Sequence, residues 1–404
     1  MTAARARRAA LWMLALTAAC LPLYIVRWRV GPLPTTLLEN LILLTVAAYV
    51  AVLWTEKRLP RARTPYDIPI ALLLLAGVVG IVVAPDHVRA LGIYRAYLLE
   101  AIAVFYIAVD MLRSRDDLRV FLGVTGVGAA LFATGQIITF VWVAAHNDLH
   151  LGAPPSFLNT SANADAMYLE PLLAFAAAFT LFPSRPRERL LAAPVLALVF
   201  VAILTALSRA SFLAMGVLAV VLVITAQTAR WRLRAAAAFA ILALASLEIP
   251  FVLDRFFTLA RSVATRESIY RQTLEMLSHM PITGAGIGGF ATTVAPYRPT
   301  NEEVEIYPHD IWLSMWSELG LLGLLAFAVI FFGILWRAAR GLRTARDVAR
   351  PLCWGCAGAI VLYAVHGLFD TPYWKNDLSV LFWLVAALQV VAGRMVRVGN
   401  RALP

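Results

Sequence analysis

Long apolar runs recur along the whole chain, and short polar segments separate them. A hydrocarbon core about 30 Å thick is spanned by about 20 apolar residues in a helix. With 61% hydrophobic and 15% charged residues, the composition is also that of a membrane protein. We therefore predict an all-α polytopic membrane protein with about 12 transmembrane helices. The predicted spans cover residues 9–26, 34–54, 66–85, 93–112, 118–145, 164–182, 190–207, 211–228, 235–253, 310–335, 352–370 and 378–395.

Basic residues cluster in every second gap between these spans. Cytoplasmic loops of membrane proteins carry an excess of Lys and Arg close to the spans. The chain has 35 such residues, and most of them fall on one side if the N-terminus is cytoplasmic. This pattern predicts that both termini are cytoplasmic. Residues 1–20 share features with a signal peptide, but the apolar run continues to Val26, which favours a retained first helix.

The charge and the cysteine content exclude several classes of partner and site. A net charge of +11 would indicate nucleic acid in a soluble protein, but here it belongs to loops that face anionic membrane lipid. We therefore expect lipid contacts and no nucleic-acid partner. Cys353 and Cys356 form a CxxC inside a predicted span, where small residues three apart indicate helix packing. His146 and His150 lack acidic or cysteine partners at ligand spacing, so we expect no metal and no cofactor.

A long polar segment divides the predicted spans into two groups. Residues 1–253 hold the first nine spans, residues 254–309 form a loop, and residues 310–404 hold the last three spans and a cytoplasmic tail. Within the loop, residues 266–279 predict a helix with Thr265 as its N-cap. An apolar stripe at helical spacing predicts that this amphipathic helix lies on the outer membrane surface. The stripe consists of Ile269, Thr273, Met276, Leu277 and Met280.

A glycine-rich turn follows this helix. Residues 284–289 match the GxGxxG pattern of dinucleotide sites, but such sites lie between a strand and a helix. We therefore favour a flexible turn near the membrane. Contact of its backbone N–H groups with an anionic ligand stays open as an alternative.

The preference of Lys and Arg for the cytoplasmic side does not explain the arginines on the predicted outer side. Arg209 follows Ser208 in a minimal turn between two spans, at the boundary of the hydrocarbon. A guanidinium there either reaches lipid phosphate or binds a diphosphate ligand, whose oxygens match its donors. Arg266 and Arg271 are similar candidates, but five residues along a helix correspond to a rotation of about 140°. Both cannot face one phosphate, and Arg266, at the predicted helix start, is the stronger candidate.

All six histidines lie at or near the predicted outer face. His309 stands where the loop re-enters the membrane, and a neutral imidazole with a pKa of about 6.5 can accept a proton from a hydroxyl nucleophile. The alternative is an interfacial histidine in an aromatic belt beside Trp312. Asp310 is its neighbour in sequence. His366 and Asp370, one helical turn apart near the outer end of a span, form a second polar pair of functional candidates.

Three segments resemble the O-antigen ligase and O-antigen polymerase superfamily of bacterial membrane glycosyltransferases. Residues 205–212 resemble its Ser-Arg turn, residues 266–290 its Arg-initiated helix and Pro/Gly turn, and residues 309–323 its His-Asn-x-Tyr-Leu…Glu-x-Gly-x-x-Gly segment. Residues 159–169 give a weaker match. Asp310 stands where the superfamily usually has Asn.

The resemblance implies transfer of a glycan from undecaprenyl diphosphate to an acceptor hydroxyl, such as lipid A core, on the outer side of the bacterial inner membrane. It also implies an inverting reaction without a metal or another cofactor. Under this resemblance Arg209 and Arg266 hold the diphosphate, Arg271 supports them, and His309 activates the acceptor hydroxyl. The supporting residues are Ser208, Asp310, His366 and Asp370.

Other functions remain open at this point. An O-antigen or exopolysaccharide polymerase and a protein O-oligosaccharyltransferase differ from a ligase in the acceptor alone. A transporter for a lipid-linked glycan belongs to a different class, and it predicts polar or broken helices at the bilayer midplane. The candidate residues of this chain gather at one face instead, which favours chemistry at that face.

Overall fold

The computed structural model describes residues 2–31, 33–60, 63–146, 149, 154–159, 161–225, 233, 259–300 and 304–401. Helices dominate this part of the chain. The predicted span at residues 235–253 and His150 lie outside the described residues.

The helices are numbered in chain order. They are α1 (Ala3–Ala19), α2 (Leu37–Thr55), α3 (Asp67–Val83), α4 (His87–Tyr94), α5 (Glu100–Met111), α6 (Arg115–Ala145), α7 (Ala162–Leu181), α8 (Pro186–Thr205), α9 (Arg209–Thr225), α10 (Leu259–His279), α11 (Phe290–Thr293), α12 (Ile311–Leu342), α13 (Ala349–His366) and α14 (Asn376–Arg401). A π turn at Arg95–Leu99 connects α4 to α5, and short 3₁₀ helices lie at Leu21–Ile25 and Ala295–Tyr297.

Every predicted span among the described residues overlaps one of these helices, and α4 and α5 together account for one of them. Within the described part of the chain, seven helices are long and apolar enough to cross a membrane, while α3 and α9 are apolar but shorter. Along the middle of the helices, large apolar side chains such as Leu43, Leu131 and Val329 face outward, as lipid contact requires. The chain is therefore an all-α multi-pass membrane protein, and the total of about 12 spans stays a prediction.

The sequence analysis predicted only helical spans and did not predict the short antiparallel hairpin that lies between α1 and α2. Its strands, β1 (Arg27–Val30) and β2 (Leu33–Thr36), pair Arg27 with Thr36 and Val30 with Leu33. Thr36 then begins α2, because its hydroxyl accepts the N–H of Glu39 at 3.1 Å while the Glu39 carboxylate accepts the Thr36 N–H at 3.2 Å. This capping box satisfies N–H groups that a helix start leaves without partners.

Polar contacts between the helices separate into two ends of the molecule. At one end, Arg58 contacts Asp110 at 2.8 Å and Arg7 contacts Asp117 at 2.8 Å. At the other end, His309 contacts Asp370 at 3.3 Å. We call these the Asp110 end and the His309 end. Basic residues assigned to one membrane side by the sequence thus meet at one end of the helices.

The amphipathic helix α10 differs from its prediction in two respects. It begins at Leu259, so Thr265 lies inside the helix and is not its N-cap. The apolar stripe does not lie bare on a surface, because Ile269, Met276 and Leu277 are buried against Phe290 and the start of α12. The protein itself covers this face of the helix. The predicted contact of these residues with lipid is therefore wrong.

The glycine turn at residues 284–289 is a fixed joint between α3 and α12. Gly284 has a φ of +64°, and a Cβ there would lie 2.4 Å from the carbonyl oxygen of Trp316. The N–H of Ala285 donates to the Ser317 carbonyl at 2.7 Å, and the N–H of Gly288 donates to the Glu318 carboxylate. These N–H groups are therefore engaged within the protein. The expectation of a flexible turn is therefore wrong, and these N–H groups are not available to bind an anionic ligand.

Candidate active site

Several helices meet around one turn at the His309 end, residues 367–370, which follow α13. Arg266 from α10 donates through Nε to a carbonyl oxygen of this turn at 2.9 Å. The Tyr270 hydroxyl, also from α10, donates to a second carbonyl at 2.6 Å. The N–H of Ile311, where α12 begins, donates to a third at 2.7 Å. The turn thus positions α10 and the start of α12 together.

His309 lies between two carboxylates. Its Nδ1 is 3.3 Å from Asp370 Oδ1, and its Nε2 is 3.1 Å from Glu305 Oε2. The backbone of His309 has a φ of +53°, a left-handed conformation that is costly for a residue with a side chain and that clusters at functional sites. The Tyr270 hydroxyl oxygen also lies 3.0 Å from the His309 carbonyl oxygen, although its single proton serves the shorter contact with the turn.

Asp370 is a fixed partner of the imidazole. Asn163 from α7 donates through Nδ2 to Asp370 Oδ2 at 3.2 Å, and the Thr371 N–H donates to Oδ1 at 2.8 Å. Both carboxylate oxygens are therefore engaged. Because an ionised carboxylate only accepts hydrogen bonds, Asp370 requires a proton on Nδ1 of His309.

The two carboxylates also set the charge of the ring. Burial alone would lower the pKa of His309, but the hydrogen bonds and charges of Asp370 and Glu305 outweigh burial and raise the pKa to about 9. The hydrogen bond to His309 in turn lowers the pKa of Glu305 below its ordinary value. At neutral pH the ring is thus an imidazolium. The neutral imidazole expected from the sequence does not describe this state of the site.

Arg209 and Arg266 are brought together from distant parts of the chain. Arg209 is the first residue of α9, directly after the turn in which Leu207 has a φ of +51°. Both arginines are half-buried, and their charges interact with each other. The charge of Arg266 also acts on Glu305. Two guanidinium groups whose charges interact favour a ligand with more than one negative charge.

Arg271 lies elsewhere on α10. Its side chain is exposed, and among the described residues no hydrogen bond or ion pair connects it to His309, Arg209 or Arg266. This placement agrees with the rotation that separates positions 266 and 271 on a helix. A supporting role for Arg271 stays a prediction.

His366 and Asp370 do not form a side-chain pair, although the Asp370 N–H donates to the His366 carbonyl at 3.1 Å. Each side chain has its own partner. The Nδ1 atom of the fully buried His366 is 2.7 Å from Glu170 Oε1 on α7 and 3.4 Å from the Ser211 hydroxyl on α9. Since both contacts use one ring nitrogen, His366 joins α7, α9 and α13 and does not form a catalytic triad with Ser211.

Asp310 and Ser208 have local structural tasks. Asp310 is the N-cap of α12, and its Oδ1 accepts the Leu313 N–H at 2.7 Å. Asn is an equally good N-cap, which explains why Asp can stand where the resemblance expects Asn. The buried Ser208 hydroxyl accepts the Ser211 N–H at 3.4 Å at the start of α9. Both residues position their neighbours, His309 and Arg209.

Glu305, Asn163 and Glu170 are site residues that the sequence analysis missed. Asn163 and Glu170 carried a signal, because polar residues in an apolar helix are functional candidates by default. Glu305 is four residues before His309, but Pro308 separates them and rules out helical spacing as a guide. Its contact with the imidazole appears in the tertiary structure alone.

The described residues contain no group of three or more His, Cys, Asp or Glu side chains suited to a metal ion. Residues 194–328 match the family model described as O-antigen ligase. This segment contains Arg209, Arg266 and His309, and it ends before the turn that carries Asp370. No curated protein matches the chain.

Proposed function

We propose that the chain is a membrane glycosyltransferase of the O-antigen ligase and polymerase superfamily, and the match of residues 194–328 to the O-antigen ligase family model supports this. Its donor is a glycan linked to undecaprenyl diphosphate, and its acceptor is a hydroxyl group of lipid A core or a similar molecule. The reaction takes place on the outer side of the bacterial inner membrane. Both termini are cytoplasmic in this arrangement.

One observation carries this proposal: a cation and a proton-accepting cluster, His309 with the carboxylates Asp370 and Glu305, are linked to the same short turn. Arg266 donates to the Phe369 carbonyl at 2.9 Å, and the next residue, Asp370, contacts His309 at 3.3 Å. Transfer from a diphosphate carrier needs both functions side by side, because a negatively charged group leaves while a hydroxyl loses its proton.

In the proposed reaction Arg209 and Arg266 bind the diphosphate. The acceptor oxygen attacks the anomeric carbon from the face opposite the diphosphate while its proton passes to a base in the His309 cluster, and the bond from this carbon to the diphosphate oxygen breaks. The electron pair leaves with the diphosphate, whose growing charge the two guanidinium groups stabilise. A single displacement of this kind inverts the configuration at the anomeric carbon. No metal or other cofactor takes part.

The test uses the purified protein in proteoliposomes with defined carrier-linked glycan. Lipid A core, a second carrier-linked glycan and a peptide serve as parallel acceptors, and mass spectrometry identifies the product. We expect lipid A core to be glycosylated. Product on the second carrier would indicate a polymerase instead, and product on the peptide a protein glycosyltransferase.

Site variants then separate chemistry from binding. His309→Ala should abolish transfer while carrier binding persists, and Arg209→Ala and Arg266→Ala should weaken carrier binding and lower kcat by about 10²-fold or more. Arg340→Ala, an exposed residue on α12, is the matched control and should behave as wild type. Movement of intact carrier across the bilayer without product would indicate a transporter and refute the proposal.

A further inference from the structure

Both ring nitrogens of His309 face carboxylates in this structure. Asp370 Oδ1 lies 3.3 Å from Nδ1, and Glu305 Oε2 lies 3.1 Å from Nε2. Ionised carboxylates only accept hydrogen bonds, so each ring nitrogen must carry a proton. An imidazolium has no lone pair left with which to accept a proton. In this arrangement another group must take the proton of the acceptor hydroxyl.

The two carboxylates, Asp370 and Glu305, differ in how readily they can accept the proton of the acceptor hydroxyl. The Asp370 side chain is 12% exposed, and the Asn163 amide, the Thr371 N–H and the imidazole engage both of its oxygens. The Glu305 side chain is 38% exposed. Within the described residues its Oε1 accepts no hydrogen bond, while Oε2 contacts His309. Glu305 therefore presents a free oxygen where an acceptor can approach.

Glu305 and Arg266 lie at the two ends of one series of contacts. Arg266 donates to the Phe369 carbonyl at 2.9 Å, the next residue, Asp370, contacts His309 Nδ1, and Glu305 contacts the other ring nitrogen, Nε2. An acceptor hydroxyl at Glu305 and a diphosphate at Arg266 can therefore approach the anomeric carbon from opposite faces. Inverting glycoside hydrolases use a carboxylate in the same way to activate the attacking oxygen.

We propose that Glu305 is the general base of the transfer and that His309 is the residue that positions it. This inference rests on the proposed function. As the acceptor oxygen bonds to the anomeric carbon, its proton moves to Glu305 Oε1, which becomes a neutral carboxylic acid. The diphosphate leaves with the electron pair of the broken bond, and Glu305 later releases the proton to solvent. His309 keeps both of its protons throughout.

The pH dependence separates this mechanism from one in which His309 is the base. Among the described residues, the titratable groups around Glu305 and His309 are Asp370 after α13, Arg266 and Tyr270 on α10, and Asp310, which follows His309 and acts on Tyr270. With Glu305 as base, kcat should be high from pH 6 to 8 and fall above about 9, where the imidazolium is lost. A His309 base would instead make kcat rise as the pH passes about 9.

The experiment begins with wild-type transfer in proteoliposomes, and absence of any product there would refute the proposed function itself. If product forms, Glu305→Gln should lower kcat by about 10²-fold or more with little change in acceptor KM. Glu275→Gln, an exposed carboxylate on α10, is the matched control and should leave kcat unchanged. Added formate should restore part of the activity of Glu305→Ala, because it supplies the missing carboxylate.

Several results would overturn the role of Glu305. They are wild-type kcat in Glu305→Gln, a wild-type rate profile that rises through about pH 9, and failure of formate to raise the activity of Glu305→Ala. Thermal unfolding of each variant establishes that it is folded. Glu305 is partly exposed on a loop, so its substitution leaves the packed helices intact.

Discussion

At the scale of single residues, the site depends on how charges are paired across the chain. His309 and Asp370 are 61 residues apart, Arg266 and Phe369 are 103 apart, and Glu170 and His366 are 196 apart. Each contact fixes the orientation of a group that would be mobile by itself. The carboxylates of Asp370 and Glu305 thus set both the charge and the orientation of the His309 imidazole.

The His309–Asp370 contact makes stability depend on pH. The folded-state pKa of His309, about 9, lies above the unfolded value of about 6.5. Its stabilising contribution is therefore fully present below about pH 6.5 and is lost as the pH rises through about 9. Asp370→Asn should lower the folded-state pKa and so flatten this loss of stability between pH 6.5 and 9.

Thermal unfolding in detergent across this pH range measures the effect. Asp116→Asn, which alters an exposed carboxylate at the Asp110 end, is the control and should keep the wild-type pH dependence. Identical curves for Asp370→Asn and wild type would contradict the assigned pairing.

At the scale of elements, the loop between the spans is held by backbone geometry. Gly320 has a φ of +65° inside α12, and a Cβ there would lie 2.3 Å from the Ile282 carbonyl oxygen. The N–H of Leu321 donates to the same carbonyl at 3.0 Å. The kink in α12 and the turn before it therefore form one interlocked unit, on which the start of α12 and His309 depend.

Gly320→Ala should lower the free energy of unfolding by about 1–3 kcal/mol, because it adds a clash and a strained φ. Gly126→Ala is the matched control: it lies in α6 with open space around the Cβ position, and it should stabilise the helix by about 0.5–1 kcal/mol. Thermal unfolding midpoints compare the two. Equal stability of Gly320→Ala and wild type would exclude a rigid joint.

At the scale of the whole molecule, two ends carry two kinds of polar network. The Asp110 end collects basic residues such as Arg7, Arg58 and Arg113 with their carboxylate partners. The His309 end holds the candidate active site. The positive-inside rule then predicts that the Asp110 end is cytoplasmic and the His309 end external.

Accessibility of single cysteines tests this orientation. In a background without the native cysteines, Glu275→Cys on α10 should react with a membrane-impermeant maleimide in spheroplasts. Asp116→Cys at the start of α6 should react after permeabilisation and not before. Both positions are exposed, so a reversed labelling pattern would place the His309 end in the cytoplasm.

The sequence predicted the helices well because a membrane span is a local property of length and hydropathy. It also identified Arg209, Arg266, His309 and Asp370 as candidates, since polar groups at a membrane boundary stand out against an apolar chain. It did not predict that His366 pairs with Glu170 while Asp370 pairs with His309. Two residues one helical turn apart look like partners until the packing of other helices is known.

Hydropathy and charge along the chain were enough to identify the class of protein and its helical segments, because both act residue by residue, and they predict the side of the membrane on which its chemistry takes place. The tertiary structure alone decided the partners of the imidazole, the rigid glycine joint and the burial of the α10 stripe. These depend on which surfaces meet across long separations in the chain, and packing, not composition, selects those surfaces.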